Sequence, residues 1–162
     1  MDDFQSQLVE LLPRLRRLAR VLTRHVADAD DLVQIAVERA LERRGQWAPG
    51  TRLDSWMFRI MKNAWIDETR SRGRKGRVFA APEEGERIAD DRIAGMDIRL
   101  AAVEAERALN ELPEDQRLAI ALVLIEGLSY KEAAEVLEVP MGTVTSRLVR
   151  GRTALMARLG GA

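Results

Sequence analysis

Four side chains late in the chain, Thr143, Ser146, Arg147 and Arg150, recur at helical spacing with no acid among them. Hydroxyls and guanidiniums so arranged are the groups that meet base edges and phosphates in a DNA major groove. Arg152, just beyond, suits a phosphate. A second set lies upstream: Arg59, Lys62, Asn63 and Arg70. At about 100° per residue these four fall within a sector of about 100° on one helix face. The three cations can take phosphates, and the Asn63 amide offers a base edge both a donor and an acceptor. Ile66 sits among them, which a purely solvated face would not favour. Covalent and metal chemistry has little to build on. There is no cysteine and a single histidine, His25, which reads as a residue near a helix C-terminus, where it favours the dipole.

Residues 128–152 must position the first set, and they read as two short helices around a tight turn. Ser129 can cap the first helix, with Glu132 at capping-box spacing. Ala133, Ala134 and Leu137 give it a small apolar face. Pro140 disfavours the α conformation at Val139 and tolerates only the first turn of a new helix. Val144, Leu148 and Leu155 then point inward, leaving the polar set outward. This is a helix-turn-helix pattern. A helical hairpin with a solvated basic face is the plainer account, and the motif alone leaves repressor, activator and initiation factor open.

The remaining elements follow in order. Residues 4–12 and 14–24 are helical in pattern, and Pro13 between them should kink the run or start a new helix. Residues 28–44 form the next helix, with Asp28 as N-cap, Asp30 and Asp31 at the positive end of its dipole, and Gly45 ending it. Thr51 opens a third helix, with Asp54 in a loose capping box. Residues 72–96 read as a linker that is basic at first and acidic later. Helical pattern resumes at about residue 97, restarts after Leu112-Pro113, and closes at Gly127.

Composition sets the bounds. The chain has 162 residues, 46% of them hydrophobic and 4% aromatic, which favours helices around a modest core. Formal net charge is +0, so the whole chain is no generic nucleic-acid binder. The charge is sorted by segment instead, with acids over residues 28–42 and cations over 59–77. No apolar run is long enough to span a bilayer, and a cytoplasmic protein is the expectation.

Three stretches in order, DADDLVQIAVERAL, LDSWMFRIMKNAWIDETR and LPEDQRLAIALVLIEGLSYKEAAEVLEVPMGTVTSRLVRGR, resemble the extracytoplasmic-function (group 4) bacterial RNA polymerase sigma factors. The resemblance runs from about residue 4 to residue 158. It implies an all-α fold of two small helical domains: a sigma region 2-like bundle at 1–71 and a region 4-like helix-turn-helix at 97–162, joined by a flexible linker at 72–96. It implies an initiation factor with no catalysis, cofactor or small-molecule substrate. The expected partners are core RNA polymerase, through its β′ coiled coil and β flap, promoter DNA, and an anti-sigma factor. Asp28, Asp30, Asp31, Leu32, Val33 and Gln34 would meet the polymerase. Arg59, Lys62, Asn63 and Arg70 would meet the minus-ten element, with Asp67 orienting Asn63 or Arg70. The loop 46–54 would capture a flipped base, and Trp47 and Trp56 could add aromatic surface there, though both suit the core better. Thr143, Ser146, Arg147, Arg150 and Arg152 would read the minus-thirty-five element. The linker's acids would mimic RNA. Two positions depart from the family pattern: Glu138 stands where the turn commonly carries Gly, and Thr145 where a basic residue is frequent. The first bears on turn geometry, the second on base preference. A sigma-like mimic that sequesters an anti-sigma factor, and a stand-alone regulator, are the alternatives.

Overall fold

In the computed structural model, residues 2–74 and 96–160 are described, and all regular elements among them are helical. Helix α1 spans Asp3–Thr23, α2 Val26–Glu42 and α3 Leu53–Arg74, with a 3-10 turn at Arg44–Gln46. Helix α4 spans Met96–Asn110, α5 Glu114–Ile120, α6 Tyr130–Leu137 and α7 Met141–Gly160, and a π-helical stretch, Ala121–Ile125, extends α5. Residues 75–95, most of the expected linker and its acids, lie outside the described residues.

The first three helices share one core because each carries an apolar stripe at helical spacing. Leu15, Leu18 and Leu22 of α1, Leu32 and Ala36 of α2, and Met57, Phe58 and Met61 of α3 are buried together. That stripe continues on both sides of Pro13, and one helix runs through the proline instead of restarting there. Burial of Leu8 and Leu15 on the same face holds the flanking turns in register. The α1–α2 junction also differs from expectation. Arg24 takes the left-handed conformation with φ 59°, His25 becomes the N-cap of α2, and Asp28 falls in the first turn. Starting α2 earlier buries Ala29 without losing an acid at the dipole's positive end. At the far end Gly45 lies in the 3-10 turn, and Arg43 is the C-cap of α2. Thr51 does not cap α3, since its hydroxyl donates to the Ala48 carbonyl at 2.6 Å.

The C-terminal helices continue the same buried apolar cluster with Leu112, Leu118, Leu122, Val136, Val144 and Leu148. Ser129 caps α6 with the expected capping box, accepting from the Glu132 N–H while Glu132 accepts from the Ser129 N–H. Thr143 N–H donates to Pro140 O at 3.0 Å, so the proline sits at the start of α7. Gly151 lets α7 close on α5, since a Cβ there would stand 2.7 Å from Ile120 Cδ1 and 3.3 Å from Gln116 Cβ. Gly151→Leu should therefore overpack this contact and lower unfolding stability by about 1–3 kcal/mol, read by chemical denaturation.

Candidate nucleic-acid interface

Helix α7 carries the downstream set. Val144 and Leu148 are buried, which fixes the rotation of the helix and turns the intervening residues away from the core. Arg150 and Arg152 are exposed, while Thr143, Ser146 and Arg147 are half-buried. The Ser146 hydroxyl donates to the Thr143 carbonyl at 3.1 Å, and Arg147 Nε lies 3.7 Å from Asp115 Oδ2. Thr145 is exposed, and its hydroxyl is turned back onto the Met141 carbonyl at 3.1 Å. Thr143, Ser146, Arg147 and Arg150 thus share one polar side, while Arg152 lies about 200° round the helix from Arg150, on another side.

Helix α3 carries the upstream set, but its surroundings are not those of an open face. Arg59 and Arg70 are exposed, Asn63 is half-buried, and Lys62 is buried. Burial pushes the Lys62 ammonium below its ordinary pKa, an effect the nearby Glu138 carboxylate partly offsets. Glu138 Oε1 accepts from Asn63 Nδ2 at 3.3 Å and lies 3.6 Å from Lys62 Nζ and 3.9 Å from Arg59 Nε. The Asn63 hydrogen bond, then Lys62, holds the Glu138 carboxyl below the usual carboxylate range. Asp67 is turned to α2 instead of orienting Asn63 or Arg70: its carboxylate accepts from Arg39 Nη1 at 2.9 Å. Trp47 is buried with its ring 5.6 Å from that of Phe4, and half-buried Trp56 meets the same ring edge-on at 6.1 Å. Both indoles therefore pack on Phe4 of α1.

The α2 set divides by burial. Asp30, Asp31 and Gln34 are exposed and Asp28 half-buried, whereas Leu32 and Val33 are buried, Leu32 at the floor of the depression beside them. Asp28, Asp31, Gln34, Ile35, Glu38 and Trp65 line a shallow depression of about 300 Å³.

What helical periodicity did not reveal is a polar seam between the first three helices and the rest. At its centre is Glu126, its side chain 1% exposed. Arg14 donates to it from Nε at 2.9 Å and to its carbonyl from Nη2 at 2.9 Å, and Arg17 donates through Nε at 2.6 Å and Nη2 at 2.7 Å. Arg14 Nη1 also reaches Asp54 Oδ2 at 3.1 Å, and Arg52 bridges Asp54 to Glu132. Arg117 Nε donates to the Val21 carbonyl at 2.7 Å, and Trp65 Nε1 donates to Glu114 at 3.0 Å. Burial, with Arg24 nearby, pushes the Arg117 guanidinium down to about 10. One signal lay in the sequence: Glu126 is a lone acid in an apolar run, and α1 carries four arginines after Pro13 with no acid among them. A groove of about 670 Å³ lies beside the seam, lined by Pro13, Arg17, Val21, Leu109, Leu124 and Leu155, with Leu124 54% exposed.

The comparisons with known proteins agree with this organisation. Residues 8–75 match the family model for Sigma-70 region 2, and residues 102–155 match that for Sigma-70, region 4. The chain is 34% identical over 158 residues to the ECF RNA polymerase sigma factor EcfG of Rhodopseudomonas palustris, covering 98% of this chain and 86% of that one. It is 37% identical over 147 residues to the ECF RNA polymerase sigma factor SigM of Mycobacterium tuberculosis, covering 91% of this chain and 72% of the relative. Among solved structures it superposes with a TM-score of 0.80 on a sigma factor RpoE solved with the anti-sigma factor NepR from Bartonella quintana. That match is 30% identical and covers 99% of this chain and 98% of the other.

Asp54 gives the seam a pH dependence. Burial alone would raise its pKa, but hydrogen bonds from Arg52, the Ser55 N–H and Arg14 outweigh that and leave it below the ordinary 3.8. A depressed carboxylate contributes stability above its unfolded pKa and loses it as pH falls through the folded one. Thermal stability should therefore fall on acidification below about pH 4, and Asp54→Asn should flatten that acid limb in melts recorded against pH.

Proposed function

The chain belongs to the ECF RNA polymerase sigma factors, and on that premise we propose how its residues divide the work of promoter-specific initiation. A sigma factor binds core polymerase and directs it to promoter DNA. The observation that carries this reading is that both sigma regions occur in order, each with a polar helix face of the expected composition. Residues 1–71 make the polymerase-binding and minus-ten domain, 72–96 the linker, and 97–162 the minus-thirty-five domain.

In this reading Asp28, Asp30, Asp31 and Gln34 dock on the polymerase, most naturally on a basic helix, where charge complementarity speeds and orients encounter. Leu32 and Val33 act from inside, by fixing the rotation of α2 against the core. Arg59, Lys62 and Arg70 take phosphates of the minus-ten region, and Asn63 reads a base edge there. Thr143, Ser146, Arg147 and Arg150 enter the major groove at the minus-thirty-five element, with Arg152 on phosphate. The work is recognition and strand opening, with no bond made or broken by this chain, and it takes place where the chromosome is, in the cytoplasm. No helix among the described residues is long and apolar enough to cross a membrane.

An anti-sigma factor is the proposed regulator, because the RpoE structure similar to this chain holds one. The groove beside Leu124 is bounded by both halves of the chain, so a protein seated in it would touch both.

Run-off transcription with core polymerase tests the reading. Promoter-dependent transcripts are expected, and their absence from every promoter tried would sink it. Arg150→Ala should weaken minus-thirty-five discrimination by about 1–3 kcal/mol at the contacted base pair. Asn63→Ala should slow promoter opening in permanganate footprints while leaving minus-thirty-five binding intact, and Asp31→Lys should lower affinity for core polymerase.

A further inference from the structure

Three of the four α3 side chains assigned to the minus-ten element converge on one carboxylate from the other half of the chain. Glu138 is the C-cap of α6, in the turn of the helix-turn-helix, with φ 58° and ψ 45°. That left-handed conformation disfavours any residue with a Cβ, and glycine fits it without penalty. A glutamate there has to be explained by what its side chain does. Among the described residues, the carboxylate's polar contacts are on α3: the Asn63 amide, the Lys62 ammonium and the Arg59 guanidinium. One amide and two cations around an anionic oxygen is also the arrangement those residues would make with a nucleic-acid strand.

The contact is held in place by others. The Arg14–Arg17–Glu126 cluster, the Arg52–Glu132 pair and the Trp65–Glu114 bond all join the same two halves. Helix α6 lies along α3 in consequence, and Lys62 is left only 8% exposed in its side chain.

We propose that Glu138 is an autoinhibitory plug: in the free chain its carboxylate occupies the α3 donors that take the minus-ten strand, closing that face until the two halves separate. The inference rests on the assignment of α3 to the minus-ten element. The plug biases the chain without locking it, because the Glu138 carboxylate itself stays 54% exposed and its pairs with Lys62 and Arg59 are long, at 3.6 and 3.9 Å, so solvent and salt weaken them. Nucleic acid and Glu138 compete for the same donors. The apparent affinity of the free chain is then its intrinsic affinity reduced by the open fraction. Separation of the halves by polymerase removes that handicap.

The test uses the full chain. It contains no cysteine, so single cysteines at exposed Glu42 and Ala157 accept spin labels cleanly. Distances between the labels are measured in the otherwise wild-type chain, in Glu138→Gln and in Glu138→Gly, the last also relieving the backbone at φ 58° so that its fold is secure. The expected result is one short population for wild type and an added longer one for both variants. In parallel, binding of a fluorescent A/T-rich single-stranded oligonucleotide is followed by anisotropy without polymerase. Glu138→Gln should bind about threefold or more tighter than wild type at low salt, with the gap closing as salt rises. With saturating core polymerase, wild type and Glu138→Gln should give equal run-off transcript. Unchanged distances and unchanged oligonucleotide affinity, with a normal wild-type transcript, would overturn the plug alone. No wild-type transcript at any promoter would overturn the promoter reading and the plug's target with it.

Discussion

The buried carboxylate of Glu126 is the point on which the arrangement of this protein turns. Two arginines of α1 converge on it from one side, and on the other it ends the π-helical stretch that follows α5. A buried carboxylate is stable only when its oxygens are paired, because a charge leaving water loses several kcal/mol of solvation, while Arg14 and Arg17 keep part of theirs at 30% and 49% side-chain exposure. Here both carboxylate oxygens and the Glu126 carbonyl accept from guanidiniums, in the fork geometry arginine is suited to. The π-helical stretch contributes directly, since its looser winding closes with Glu126 N–H on the Ala121 carbonyl at 2.8 Å. One residue of extra winding sets the side chain toward α1 instead of solvent.

From that anchor the rest of the seam follows by proximity. Arg14 also reaches Asp54, Asp54 holds Arg52, and Arg52 meets Glu132 inside the capping box of α6. The chain of charges leads from the first helix to the start of the helix-turn-helix, and Glu138 lies at the far end of that same α6. Each half is close to neutral by itself, and a few acids of the C-terminal half, Glu126, Glu132 and Glu138, are matched to cations of the first three helices and their loop.

Much of the secondary structure could be read from the residues, and the reason is local. Ser129 with Glu132, and Pro140 opening a helix, are signals complete within a few residues, and the structure carries both. Where the expectation failed, tertiary packing outweighed a local signal. Pro13 does not restart α1, because a continuous apolar stripe spans it, and Asp28 loses the cap of α2 to His25 because an earlier start buries Ala29. Thr143, Ser146, Arg147 and Arg150 of α7 share a side, as periodicity requires once Val144 and Leu148 are buried. The surroundings of α3 were not legible. Helical spacing reports which face of a helix is polar but not which distant carboxylate will cover it, and Glu138 lies 75 positions from Asn63. It showed in the sequence only as a departure in a turn.

That separation along the chain also orders events in time. A ribosome adds about 5–20 residues per second, so the first three helices, which hold their own core, emerge several seconds before Glu126 and Glu138 exist. During that interval the nascent domain carries Arg14, Arg17, Arg59 and Lys62 without the acids that later meet them. Closing a loop this long is entropically slow relative to folding within either half. Until the C-terminal acids leave the ribosome, the cationic faces of the first three helices stand without the partners that cover them in the closed molecule.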